Sequence, residues 1–264
     1  MSKRAGIRLL KISLIVLFAS SLIAMIGIKV ERKREDTAFE KLRETVRQDV
    51  VILPQSTKET TKEIKKKQMR KQQPKGLLSL YEQNHDLFAW IKIPGTAVDY
   101  PVMYTPGEEQ YYLHRSFDQR YSASGVPFLS KESSPDGNNL VIYGHHMRNG
   151  TMFADLVRYR SSSYRKNHRI IYLTTLQGQR SYRVVAAFAT TVNKTEKFHY
   201  YQYGGKLTRD QWTAFVQGIR AKDEQAVEEL PYGTRCITLS TCAYHAKNGR
   251  FVVVAALCED SSLP

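Results

Sequence analysis

Cysteine is scarce in this chain, and nothing in it has the spacing of a metal site. Of 264 residues three are cysteine, at positions 236, 242 and 258. So few thiols exclude a disulfide-stapled scaffold, and an odd count leaves at least one free thiol in an oxidising compartment. Cys236 and Cys258 fall near each other if residues 234–257 form a hairpin, but a bridge across strands demands a specific geometry that the sequence does not dictate. No His, Cys or carboxylate set matches metal-ligand spacing, so neither a metal nor a cofactor is expected. Acidic residues are the second shortage: 25 Asp and Glu stand against 40 Lys and Arg, for a formal net charge of +15. That excess invites a nucleic-acid partner, but its distribution speaks against one. Residues 1–75 hold 19 Lys/Arg and 8 Asp/Glu, a net of +11, whereas residues 76–264 hold 21 and 17, a net of +4. No helix-turn-helix, zinc-finger or RNA-recognition pattern accompanies the charge. A basic tract beside a membrane is more simply a partner for anionic lipid or cell-wall polymer.

Long apolar runs are also few. Leu9–Ile28 spans 20 residues with one charge, Lys11, close to its start. As a helix it is about 30 Å long, the thickness of one hydrocarbon core. It is long for a signal-peptide core, and no A-x-A site comes after it. Residues 9–30 therefore read as an uncleaved transmembrane anchor behind a short tail, residues 1–8. Lys3, Arg4 and Arg8 precede the span and Lys29, Arg32, Lys33 and Arg34 come after it, so charge alone leaves the orientation open. Residues 31–75 are charged and Gln-rich, without an aromatic after Phe39. Phe39, Leu42, Val46 and Val50 have helical spacing, Pro54 stops it, and residues 55–75 have almost nothing to bury. This segment reads as a stalk, helical near the membrane and then flexible.

Residues 76–264 read as one folded domain. Leu77–Asp86 has the pattern of a short amphipathic helix. Leu87–Ile93 and Val98–Met103 flank the turn Pro94-Gly95-Thr96 as strands. Gly125–Leu129 and Asn138–His146 are further strands, and Met152–Arg160 suits a short helix. His168–Thr175 and Tyr182–Thr191 pair around Gln177-Gly178-Gln179. Many short strands at close spacing indicate a mainly β barrel or sandwich with a few helices. Residues 192–233 interrupt the pattern. Thr208 and Gln211 have capping-box spacing, and Trp212, Phe215, Val216 and Ile219 form a helical stripe suited to packing on the barrel. The aromatic run Phe198–Tyr203 is harder to bury whole and is expected to rim a groove.

The stretch Thr234–Leu257 carries the chemistry. Arg235–Cys242 and Arg250–Leu257 are β-rich and flank a polar loop with Asn248-Gly249, the pattern of an antiparallel hairpin. Ile237, Leu239 and Thr241 point to one face; Cys236, Thr238, Ser240 and Cys242 point to the other, a small and polar face suited to the floor of a groove. If the hairpin closes symmetrically over residues 243–249, Cys242 lies opposite Arg250, with Cβ atoms about 5 Å apart. A thiol beside a guanidinium is a reactive arrangement, because a fixed cation favours a thiolate. A cysteine nucleophile also wants an imidazole. His85, His114, His168 and His199 lie in segments without any other reactive signature and read as ordinary residues. His245 is three residues past Cys242 in a loop. His145 ends an apolar strand where Gly144 permits an abrupt turn, and His146 is its neighbour; the pattern alone does not choose between them.

Thr238-Leu239-Ser240-Thr241-Cys242, with Arg250 eight residues later leading RFVVVA, resembles the sortase signature. Asn139–Met147, NLVIYGHHM, is similar to the sortase histidine segment. WIKIPGT from Trp90, VDYPV from Val98, Tyr112-Leu113, Asn149–Phe153 and the helix inserted before the catalytic strand resemble the class B subgroup. The likeness covers roughly residues 77–258. It implies a closed sortase-type β-barrel of about eight strands, with an N-terminal helix and the inserted helix. It makes Cys242 the nucleophile, His145 the acid/base partner and Arg250 the stabiliser of substrate and oxyanion, with Ser240 and Thr241 shaping the substrate groove. It implies a cysteine transpeptidase that cleaves a C-terminal sorting motif of secreted proteins after Thr. The product is then joined to an amine of a cell-wall precursor or a pilin lysine. It also places residues 30–264 outside the cell membrane of a Gram-positive-type surface. His146 stands where class B members often have Asn, and Ser130 where Asp is common after Phe-Leu; neither position belongs to the triad. Two other readings fit the same residues: a hydrolytic cysteine peptidase using Cys242 with His145 or His245, and a non-catalytic surface assembly protein on the same fold.

Overall fold

The computed structural model describes residues 3–47, 74–226, 229–243 and 246–258. The chain divides into two compact units, residues 1–44 and 45–264. In the first, helix α1 (Lys3–Arg47) runs without a break through the apolar span and the charged residues after it. Its Lys11–Arg47 portion contains a window of mean hydropathy 2.2, long and apolar enough to cross a membrane. The flexible part of the expected stalk lies outside the described residues.

The second unit is built on eight strands: β1 (Leu87–Lys92), β2 (Asp99–Met103), β3 (Phe128–Leu129), β4 (Asn139–Tyr143), β5 (Ile170–Thr175), β6 (Gly178–Thr191), β7 (Cys236–Cys242) and β8 (Gly249–Leu257). They close into a barrel in the order β1-β2-β3-β4-β7-β8-β6-β5. Pairing is antiparallel except for β2 with β3 and β4 with β7, which are parallel. The parallel pair matters for the site, since it brings the C-terminal ends of β4 and β7 to the same rim, with Tyr143 beside Ser240.

Several elements differ from the sequence expectation for identifiable reasons. The first helix, α2, covers Lys75–Gln83 rather than 77–86. It stops because the Asn84 side chain donates to the Tyr112 hydroxyl at 2.8 Å and to the Phe117 carbonyl at 2.6 Å, holding the backbone extended. The strand expected over 125–129 shrinks to two residues, because Gly125 sits at φ 56°, outside strand geometry. The helix expected over 152–160 is a 3-10 helix, Ala154–Arg160, and a second short helix, α3 (Ser162–Asn167), comes after it. Strand β6 begins four residues before Tyr182, directly after a tight turn with β5.

The inserted helix α4 (Arg209–Lys222) is capped as its spacing predicts, with both halves of the Thr208–Gln211 capping box formed. Trp212, Phe215 and Ile219 are buried, and Val216 packs at their edge. This stripe lies over Cys236, Val252, Val254 and Ala256. The small face of β7 is therefore not an open groove floor along its length. The insert covers much of it, and its Ser240–Cys242 end reaches the groove described below. Strand β8 accordingly reads as a near-continuous apolar run, because one face fills the barrel and the other meets the insert. Two ion pairs fasten this layer. Asp223, at the end of α4, accepts from Arg165 Nη1 and from the Ala187 amide, both at 2.7 Å. Glu196 meets Lys222 at 2.7 Å and Thr190 at 3.0 Å.

Cys236 lies opposite Ala256 and is fully buried; burial pushes its thiol up to about 12. Cys236 and Cys258 are both free thiols.

Candidate active site

The β7–β8 register places Cys242 directly opposite Arg250, as the symmetric hairpin requires. Behind Cys242 the chain turns through a loop closed by the Ala243 amide on the Gly249 carbonyl, with Asn248 in the left-handed region at φ 60°. An Asn-Gly pair suits that turn because Asn tolerates positive φ better than most side chains. On the far side of Arg250, β6 contributes Thr190. Arg250 Nη1 donates to the Gly249 carbonyl at 3.0 Å, and no carboxylate pairs with the guanidinium among the described residues.

His145 arrives from the end of β4. The Gly144 amide donates to the Ser240 carbonyl at 3.1 Å, and the Thr241 hydroxyl donates to the Gly144 carbonyl at 2.7 Å. The Phe153 amide donates to the His145 carbonyl at 2.8 Å. The loop carrying His145 is thus tied to the strand carrying Cys242. Gly144 serves here through space rather than through backbone freedom. It is not among the glycines at positive φ, and a Cβ on it would stand 2.7 Å from the Phe153 ring.

His145 Nε2 lies 2.9 Å from the Leu113 carbonyl. A carbonyl only accepts, so Nε2 carries the proton in that contact and Nδ1 is left for chemistry. Burial disfavours the imidazolium of His145 and lowers its pKa; the Leu113 carbonyl opposes this, and the neighbouring His114 adds to it. The His114 ring sits 5.4 Å from that of His145. His114 is exposed, as an ordinary surface residue would be, and the ring contact adds that it neighbours His145. Its signal was positional: Leu113-His114 lies in a 3-10 helix, Tyr111–His114, that the fold packs against the β4 rim. His146 is not among the residues lining the groove with Cys242, and its Nδ1 lies 2.9 Å from the Cys242 carbonyl. The two neighbours thus differ in their surroundings: His145 lines the groove, and His146 contacts the backbone of Cys242. His245 lies outside the described residues.

His145, Cys242, Arg250, Ser240 and Thr241 all line one groove of about 320 Å³. Ser240 is buried and its hydroxyl is 2.6 Å from that of Tyr200; Thr241 is buried as well. Both hydroxyls thus brace the wall. The remaining lining includes Leu113, Tyr143, Tyr200 and Tyr201, with the Glu109 carboxylate at one edge. Of these, the sequence pointed to Tyr200 and Tyr201 through the aromatic run; Tyr200 lines the groove although it is buried, and Phe198 is buried away from it. Tyr143 and Leu113 stand in the sequence only as parts of longer motifs. Among the described residues no group of three His, Cys, Asp or Glu side chains gathers as a metal site.

Comparison with known proteins adds identity to this geometry. The Sortase domain family model matches residues 91–258. Sortase B of Staphylococcus aureus is 30% identical over 184 residues, which is 68% of this chain and 73% of that protein. Sortase B of Listeria monocytogenes is 27% identical over 186 residues, 69% of this chain and 73% of that one. Among solved structures, a Staphylococcus aureus sortase B–substrate complex superposes with a TM-score of 0.69 at 25% identity, covering 88% of this chain and 99% of the other. The closed eight-stranded barrel matches that of the sortase B structures, and the chain belongs to the sortase family of cysteine transpeptidases, in its class B subgroup.

Proposed function

We propose that the chain is a membrane-anchored transpeptidase in which Cys242 is the nucleophile, His145 the acid/base and Arg250 the oxyanion donor. The observation that carries this reading is the in-register pair Cys242–Arg250 sharing one groove with His145. Neutral His145 takes the thiol proton at Nδ1 as Cys242 sulfur attacks the carbonyl of a Thr in the sorting motif. The tetrahedral oxygen gathers negative charge, which the Arg250 guanidinium offsets. His145, now imidazolium, gives its proton to the leaving amine, and a thioester remains on Cys242. An amine from a cell-wall precursor or a pilin lysine then attacks the thioester, His145 accepts its proton, and the thiol is restored. Helix α1 would hold the enzyme beside substrates that are themselves membrane-held, with residues 1–8 as tail, 9–30 as anchor, 31–75 as stalk and 76–264 as the catalytic domain outside the cell.

The test is intact-mass spectrometry of the full chain in a neutral detergent, incubated with peptides of Leu-Pro-x-Thr-Gly and Asn-Pro-x-Thr type. The expected result is an acyl adduct on the wild type and none on Cys242→Ala, with unchanged thermal unfolding. Wild-type-like acylation by Cys242→Ala would sink the assignment. A thiol at position 242 that resists a small alkylating agent near neutral pH would point to a non-catalytic assembly protein. Products of hydrolysis alone, unchanged by added amines, would make water the acceptor.

A further inference from the structure

The parallel ladder between β4 and β7 stops at the rim, and a side chain takes over where it stops. Tyr143 is the last residue of β4, opposite Ser240, and the Gly144 amide donates to the Ser240 carbonyl at 3.1 Å. Backbone groups alternate in direction along a strand, so the carbonyl of Cys242, two residues on, faces the same side as that of Ser240. On the other side of β7 the Ala243 amide donates to the Gly249 carbonyl at 3.0 Å. The pair Cys242–Arg250 is therefore a rung without ladder bonds, and the Cys242 carbonyl is turned away from β8. Had the ladder with β4 continued, the amide of residue 146 would have met this carbonyl. The chain has instead left the sheet, with the His146 backbone bridged to Met152. What meets the carbonyl is the ring of the same residue, His146 Nδ1 at 2.9 Å.

A carbonyl only accepts, so Nδ1 carries the proton in this contact. His146 is half-buried and does not line the groove, so its hold on the nucleophile runs through the backbone and not through substrate. Cys242 is the last residue of β7, and strand ends open more easily than strand middles. The carbonyl carbon and Cβ of a residue share one Cα, so fixing the carbonyl limits how far Sγ swings. The Thr241 hydroxyl on the Gly144 carbonyl, at 2.7 Å, is the tie before it. His146 supplies the last tie, at the residue whose aim matters most, since a small misplacement of a reacting atom costs much of its rate.

We infer that His146 is a positioning residue for the transfer reaction, its Nδ1–H holding the Cys242 carbonyl so that the thiol stays directed at its partners in the groove. The inference rests on Cys242 being the nucleophile, as proposed above.

The experiment compares His146→Leu, which keeps bulk and loses the donor, with His146→Asn, whose side-chain amide places an N–H as far from Cα as Nδ1 does. Both are made in the full chain in a neutral detergent and assayed with whichever of the Leu-Pro-x-Thr-Gly and Asn-Pro-x-Thr peptides acylates the wild type. In His146→Leu, kcat for thioester formation is expected to fall about tenfold, the worth of one hydrogen bond, with KM unchanged. His146→Asn is expected to recover most of that loss and to keep both limbs of the wild-type pH–rate profile, because the ring is no acid or base in the reaction. Wild-type kcat in His146→Leu, an Asn variant no faster than the Leu variant, or a displaced limb in His146→Asn each overturns the inference. Nitrogen NMR of the His146 ring tests the contact without substrate: a ring protonated at Nδ1 is expected, and a neutral ring protonated at Nε2 alone overturns it. Failure of the wild type to acylate with either peptide counts against the transpeptidase reading, while the ring's tautomer and the order of the variants in alkylation of Cys242 by iodoacetamide, slowest in His146→Leu, still decide this one.

Discussion

His145 and His114 show what a single contact does to chemistry. The catalytic candidate is half-buried, which favours its neutral form, and a second imidazole whose charge opposes its own lies against it. Leu113, the residue before His114, fixes the tautomer through its carbonyl. One 3-10 helix thus sets the proton's place and adjusts an affinity that burial chiefly lowers. His114→Phe keeps an aromatic ring in the contact and removes the like charge. Its expected effect is an upward movement of the His145 titration midpoint, and with it the acidic limb of the pH–rate profile for thioester formation. NMR titration of the His145 ring checks the first independently of activity. A midpoint that does not move would reduce His114 to a packing role.

At the scale of elements, the β4 rim depends on a close approach rather than on a bent backbone. Gly144 lies against the buried Phe153 ring, and the loop beyond it is pinned to β7 through Thr241 and Ser240. Gly144→Ala puts a methyl 2.7 Å from a ring with no room to withdraw. The expected cost is about 1–3 kcal/mol, as for other overpacked core sites. Because His145 is the next residue, thioester formation should slow by more than the loss of folded protein explains. Thermal unfolding and acylation rates measured side by side decide this; an unperturbed rate would mean that the loop is positioned by its hydrogen bonds alone.

For the domain as a whole, the attachment of the insert to the barrel contributes to how stability varies with pH. Burial alone would raise the Glu196 carboxyl. The Lys222 ammonium, the Phe198 amide and the Thr190 hydroxyl outweigh it and hold the pKa down to about 2, from an ordinary value of 4.5. A depressed carboxyl contributes stability that is complete above its unfolded pKa and is lost as pH falls through the folded one. Between pH 4.5 and 2 the wild type should therefore lose stability, and Glu196→Gln should lose less. At pH 7 the variant is expected to be weaker by about 1–2 kcal/mol, with the gap closing towards pH 2. Unfolding temperatures across that range are the check; a gap that stays constant would place the Glu196 contribution outside its charge.

Much of this was readable in the residues because the deciding interactions are local. Period-two patterning and Asn248-Gly249 determined the β7–β8 hairpin, and a hairpin's register is set by its turn, so Cys242 opposite Arg250 could be derived without a fold. The capping box and stripe of α4 are likewise written within a single short segment. What required the tertiary structure were contacts between segments far apart in sequence. The parallel pairing of β4 with β7 brings His145 to Cys242 across nearly a hundred residues, and neighbours such as His145 and His146 diverge only once that rim exists. The His114 ring lies tilted beside that of His145, and α4 covers much of the face of β7 that looked open. Composition and periodicity carry no record of such meetings, since each side of a long-range contact looks ordinary until chain closure puts the other beside it.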